Sequence, residues 1–259
     1  MTSLYKKLQN RVDYETGRII WAYDPIIGEK DPFNKFKNTF RVVKDSIAGI
    51  KFNRQFILPY GLNNPKLRQI IDLIKENDIP LIMDAKVNDI GYTNESISRL
   101  YFSAGFDALI VNPFVGADGI IPIITSAKEF NCDVVFLVYM SHPSASFGYG
   151  REIMLNKDDF KIIPSNESIK YFYELFAHSV NYYNVSGAIV GGTDPKKIQN
   201  VHSILKKDKL IFSPGIGAQG GDPSIARKYG MDFAIIGRSI TNNSDPLSFC
   251  KKINELIAN

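Results

Sequence analysis

Between Met83 and Thr93 the chain reads MDAKVNDIGYT, and Asp84, Lys86 and Asp89 stand two and three positions apart just after the apolar run IPLIM. A charge at the end of a buried segment must be paired or put to use, because burying it alone is costly. Acid, base and acid at this spacing can alternate in sign, so that each ion has an opposite neighbour in a mostly dry place. Lys51, inside AGIKF, adds a second cation within an apolar run. Alone it reads as half of a structural salt bridge. With Asp84, Lys86 and Asp89 it completes a four-residue array, because the segments carrying them are neighbours.

A second group is SPGIGAQGGDP (213–223), followed by IIGRSI. Glycine lets backbone N–H groups turn toward an anion with no Cβ in the way. Arg238 can add a charge-assisted, bidentate contact. A lone Gly-x-Gly is as well explained by a flexible turn; two successive loops with an arginine point to phosphate.

These residues need a frame. Apolar, β-branched runs recur at 18–24, 48–52, 80–86, 107–113, 133–140, 187–192, 209–215 and 233–239. Most lack polar alternation, the mark of parallel strands covered on both faces. Between them lie segments with helical spacing. NPKLRQIIDLIKEND sets Leu67, Ile70, Ile71 and Ile74 on one face; NESISRLYFSAG opens with Asn94 as an expected cap and ends at Gly105; DPSIARKYG is a shorter helix. The expected fold is a single-domain α/β chain over residues 1–259, a (β/α)8 barrel. Leu4, Leu8 and Val12 predict an extra N-terminal helix covering the barrel bottom. A doubly wound open sheet is the alternative, but no Gly-x-Gly-x-x-Gly follows the first strand. The one long connection, 141–186, reads as a lid or binding loop. In a barrel the carboxyl ends of the strands form the active face. Asp24, Lys51, Asp84, Lys86, Asn112, Ser141, His142, Thr193, the 213–221 loop and Arg238 all fall there.

Composition narrows the function classes. The 259 residues are 44% hydrophobic and 22% charged, ordinary for a folded protein, and the net charge is +4. That weak balance suits an anionic small molecule, though a scattered lysine surface gives the same figure. There is no basic stripe or nucleic-acid motif, and no apolar run long enough to span a bilayer. The N-terminal stretch lacks the apolar core of a signal peptide. Cys132 and Cys250 form no Cys-x-x-Cys and have no histidine pair nearby, so neither a disulfide framework nor a metal site is expected. A reducing cytoplasm is the expected location.

DAKVNDIGYT resembles the Asp-x-Lys-x-x-Asp-Ile-x-x-Thr signature of the orotidine 5′-monophosphate decarboxylases. YMSHPSA and SPGIGAQGGDP…IIGRSI are similar to that family's pyrimidine-side and phosphate-side segments, in the order of its short microbial and archaeal forms. The likeness runs from about Ile19 to Pro246; Gly91 stands where many members have proline, and the connection after Pro143 is long. The resemblance implies decarboxylation of orotidine monophosphate to UMP without cofactor or metal. Lys86 would be the cation and proton donor at C6, with Lys51, Asp84 and Asp89 completing the catalytic set. Asp24 and Thr93, or a neighbour of Thr93, would bind ribose hydroxyls, Ser141 the pyrimidine edge, and Gly217, Gly237 and Arg238 the phosphate. Gln219 would bridge phosphate and base, and Ile90 and Pro214 complete the substrate-binding set. His142 reads as structural, in a His-Pro turn. The resemblance also implies a homodimer in which Asp89, Ile90 and Thr93 reach into the partner's site.

Two rivals remain at this point. A 3-keto-gulonate-phosphate decarboxylase or hexulose-phosphate synthase shares the acid-lysine signature and works through a metal-bound enediolate. It would want a further acid before that signature, and YMSHPSA argues against it. A non-catalytic phosphate-binding barrel would keep 213–238 without needing Lys51, Asp84, Lys86 and Asp89 together.

Overall fold

The computed structural model describes residues 2–13 and 17–258. Eight parallel strands close into a barrel in sequence order: β1 (Ile19–Tyr23), β2 (Gly49–Asn53), β3 (Leu81–Val87), β4 (Ala108–Val111), β5 (Asp133–Tyr139), β6 (Gly187–Val190), β7 (Leu210–Pro214) and β8 (Phe233–Ile236). Every expected apolar run overlaps one of them, β2 and β3 extending one residue beyond theirs. β1, β4, β6 and β8 are buried along their whole length, which is why their sequences show no polar alternation.

Alternation along each strand still decides what faces inward. On β1, Ala22 and the following Asp24 line the barrel mouth. Their neighbours Trp21 and Tyr23 point outward, onto Phe36 at centroid distances of 5.0 and 5.2 Å. Phe52 and Phe56 join this outer aromatic layer, and helix Pro32–Val43 buries Phe33, Phe36 and Phe40 against it. The packing fixes β1 and β2, and so the charged side chains on their inner faces.

The N-terminal helix, Ser3–Asp13, forms as expected, with Leu4 and Leu8 buried. It lies under the barrel: the Leu4 N–H is hydrogen-bonded to Asp133, Lys7 pairs with Asp107, and Arg11 donates to the carbonyls of Lys44 and Ile47. Helix Pro65–Glu76 buries Leu67, Ile70, Ile71 and Ile74, the stripe its spacing predicts. Helix Gly91–Ala104 stops at Gly105, whose φ of 110° is left-handed. Its start corrects the expected cap. The helix begins at Gly91, and Asn94 lies within it, buried and hydrogen-bonded to the turn before it. Gly91 lets that first turn pack closely on helix Gly116–Glu129, since a Cβ there would come within 2.8 Å of the Asp118 carbonyl oxygen.

Among the described residues, the long connection contributes only Ser141 to the lining of the barrel mouth. It holds short helices Ala145–Gly148 and Asp159–Ile162 and a bridge between Glu152 and Tyr171 before helix Phe172–Tyr182. Lys197 pins its two ends. Its ammonium lies 4.4, 5.1 and 5.7 Å from the ring centroids of Tyr173, Tyr171 and Tyr139. Among the described residues no helix is long and apolar enough to cross a membrane.

Candidate active site

Strand register brings the ionisable residues together. Ala22 of β1 pairs with Lys51 of β2, and Asn53, two residues on, pairs with Asp84 of β3. Lys51 and Asp84 therefore share the inner face. Lys51 Nζ lies 2.9 Å from Asp84 Oδ2 and 3.7 Å from Asp24, and Lys86 Nζ lies 2.6 Å from Asp84 Oδ1. Both oxygens of one carboxylate are thus taken by two different lysines. Burial alone would lower the pKa of Lys51, but Asp84 and Asp24 outweigh it and hold the pKa above the ordinary lysine value. Burial likewise pushes Asp84 up, and Lys51 and Lys86 outweigh it and hold the carboxyl below its ordinary range.

Lys86 has a φ of 46°, a left-handed conformation that a side chain adopts at a cost. It sits where the β3–β4 register shifts, β3 advancing from Met83 to Val87 while β4 advances only from Leu109 to Val111. The irregularity turns Lys86 back toward Asp84 instead of continuing the pleat. Such strain persists where its surroundings over-determine it: here the ion pair to Asp84 on one side and the buried Val87 on the other.

These groups line one side of a cavity of about 600 Å3 at the carboxyl ends of the strands. Ile110, Leu137, Ile189 and Ile235, from β4, β5, β6 and β8, give the rest of the lining an apolar character. Asp24 Oδ1 is buried at the mouth and accepts no hydrogen bond from any described residue. Ser141, Pro214, Gln219, Gly237 and Arg238 also line the cavity. Gly215, with a φ of 91°, threads between two of them: a Cβ there would lie 3.1 Å from Ser141 Cβ and 3.2 Å from Gln219 Oε1. Gly217 lies just outside the lining, beside Ser239. Arg238 is exposed and makes no ion pair among the described residues, so its guanidinium is available to an anion. His142 is exposed and outside the lining.

Asp89, Ile90 and Thr93 are not brought to this cavity. Asp89 is exposed, its Oδ1 accepting from the Ile90 N–H at 2.7 Å, and Ile90 is 71% exposed. Within one chain the ion-paired residues are Asp24, Lys51, Asp84 and Lys86, and Asp89 lies apart from them. Sequence reasoning missed Pro25, Ile26, Ile27, Asn53, Gln55 and Ser239, which also line the cavity. Asn53 had a signal, two positions beyond Lys51 on the inner face. Among the described residues no three His, Cys, Asp or Glu side chains are grouped to hold a metal ion.

A closed eight-stranded barrel with a charged cavity at the carboxyl ends of its strands defines a (β/α)8-barrel protein with its candidate site where such barrels carry active sites. A family model described as "Orotidine 5′-phosphate decarboxylase / HUMPS family" matches residues 30–253, and the chain belongs to that family. It is 35% identical over 213 residues to orotidine 5′-phosphate decarboxylase of Pyrococcus furiosus, covering 82% of this chain and 87% of that one. The crystal structure of the Pyrococcus horikoshii OT3 orotidine 5′-phosphate decarboxylase is similar at a TM-score of 0.72 and 30% identity, covering 93% of this chain and all of that one. The Methanocaldococcus jannaschii enzyme, solved in complex with inhibitor BMP, shares the fold at a TM-score of 0.74 and 22% identity over 94% of this chain and 99% of that one.

Proposed function

We propose that the chain removes CO2 from orotidine 5′-monophosphate to give UMP, a step of pyrimidine biosynthesis, using fixed charge and hydrogen bonds alone. The Lys51–Asp84–Lys86 chain of ion pairs in the cavity of a member of this family carries the reading. Loss of CO2 leaves an electron pair at C6 in the plane of the pyrimidine, where no ring carbonyl delocalises it. A cation held beside C6 lowers the energy of that charge. Lys86 is that cation and then the acid that protonates C6. Asp84 orients Lys86 and lies against the substrate carboxylate. Lys51, charged and buried, keeps Asp84 ionised.

The unsatisfied Asp24 Oδ1 accepts from a ribose hydroxyl. Ser141 meets the pyrimidine edge, and Gln219 spans from base to phosphate over Pro214. Gly217, Gly237 and Arg238 bind the phosphate, whose binding energy is spent at C6. Asp89, Ile90 and Thr93 act across a two-fold interface in a homodimer, completing the partner's site. The exposure of Asp89 and of the apolar Ile90 and Tyr92 beside it supports this arrangement. The protein works as one catalytic barrel, and its two free thiols, Cys132 and Cys250, suit a reducing cytoplasm.

The test is the ultraviolet absorbance change of orotidine 5′-monophosphate mixed with the protein, with and without a chelator. Conversion to UMP that is indifferent to chelator is expected. Absence of conversion, or conversion lost to chelator and restored by a divalent cation, overturns the reading.

A further inference from the structure

Asn94 lies outside the cavity, and the helical spacing around it explains only its place in helix Gly91–Ala104. Its side chain is fully buried, and its amide is fully engaged. Asn94 Oδ1 accepts from the backbone N–H of Asp89 at 3.0 Å, and Nδ2 donates to the backbone carbonyl of Asp89 at 2.6 Å. The same Nδ2 donates to the carbonyl of Gly119 at 3.0 Å, in the neighbouring helix Gly116–Glu129. One side chain thus holds both backbone polar groups of Asp89 and ties them to a second element. The fit is close on the far side as well, since a Cβ on Gly119 would lie 3.2 Å from Asn94 Nδ2.

Asp89 needs such a hold. It is exposed on a short turn between β3 and the helix, and no described lysine or arginine pairs with its carboxylate. A carboxylate on a free turn would sample many positions, and misplacement of about 1 Å can cost a reacting site roughly 100-fold. The side chain of Asn94 meets this need, because its amide oxygen and nitrogen face the N–H and C=O of one residue, which aspartate, serine or alanine at 94 would not reproduce. We infer that Asn94 is a positioning residue for this reaction: its buried amide clamps the Asp89 backbone to helix Gly116–Glu129 and so aims the Asp89 carboxylate into the active site it serves.

The inference rests on the role of Asp89 proposed above, and two measurements separate it from that role. The first needs no activity: amide hydrogen exchange in the parent, Asn94→Ala and Asn94→Asp proteins. The Asp89 N–H should lose protection in Asn94→Ala and keep more of it in Asn94→Asp, which retains the acceptor. Protection in β3 should stay as in the parent. Unchanged exchange at Asp89, or loss of protection throughout the barrel, overturns the clamp. The second is a double-mutant cycle in orotidine 5′-monophosphate turnover. Asn94→Ala should lower kcat about 100-fold in the parent and less than about threefold in the Asp89→Ala background, because its effect passes through Asp89. Equal losses in both backgrounds show a structural residue and overturn the inference. A parent without turnover instead counts against the proposed function and leaves the exchange result to decide the clamp.

Discussion

Lys51 Nζ and Asp84 Oδ2 lie 2.9 Å apart with their side chains only 6% and 10% exposed, so two full charges are buried together on adjacent strands of the barrel. Breaking a buried pair by removing one partner is far more costly than the pair is stabilising, since the other charge is left behind. Lys51→Met should therefore lower unfolding free energy by about 3 kcal/mol at neutral pH, measured by urea titration. A change under about 1 kcal/mol would show that Asp84 is adequately served by Lys86 alone.

The same pair sets a pH window. Asp84 titrates below its ordinary 3.8, so its contribution is present above that value and is lost as pH falls through the folded-state pKa. Lys51 titrates above its ordinary 10.5, so its contribution is present below that value and is lost as pH rises through the folded-state pKa. The stability difference between parent and Lys51→Met should be flat from about pH 5 to about pH 9 and shrink in stronger acid. A difference that changes steadily across neutral pH contradicts these assignments.

Arg238 lines the cavity mouth with no ion-pair partner among the described residues. Arg238→Ala should weaken binding of the 5′-phosphorylated substrate by roughly 10- to 100-fold and leave turnover of the bare nucleoside nearly unchanged. Steady-state kinetics on both substrates decides; equal losses make Arg238 a structural residue.

Much of this site is legible in the sequence for a specific reason. A strand covered on both faces reads as one apolar run, so each of β1–β8 overlaps a segment visible beforehand, with β2 and β3 running one residue further, and a charge inside such a run stands out. Lys51 and Asp84 are found that way. What depends on register is not visible: Asp24 reaches Lys51 only because Ala22 pairs with Lys51. The left-handed Lys86 is hidden too, because no residue type there announces a positive φ. Asn94 shows how one chemistry supports two readings. An asparagine that can cap a helix can equally clamp the preceding turn, and the helix start at Gly91 leaves Asn94 only the second role. The long connection suggests a lid by length alone, yet Tyr139, Tyr171 and Tyr173 around Lys197 hold its ends against the barrel wall.

The exposure of Asp89 predicts complementation between inactive chains. Lys86→Ala and Asp89→Ala proteins are mixed and allowed to exchange subunits. If Asp89 acts across a two-fold interface, a mixed dimer has one site with both lesions and one with neither. Random exchange makes about half the dimers mixed, so activity should recover to roughly a quarter of the parent value. No recovery, with exchange confirmed by differently tagged chains, means that Asp89 serves its own chain.

On the proposed function, the Lys86 ammonium, fixed by Asp84 at 2.6 Å, is the charge that makes decarboxylation at C6 feasible. Enzymes of very slow reactions supply on the order of 20 kcal/mol of transition-state stabilisation, and the one cation beside the reacting atom must carry several of these. The most direct measurement is the rate of orotidine 5′-monophosphate decarboxylation by Lys86→Ala, with circular dichroism confirming a folded barrel. A loss of at least about 1,000-fold in kcat/KM is expected. A folded Lys86→Ala protein within about tenfold of the parent would contradict it.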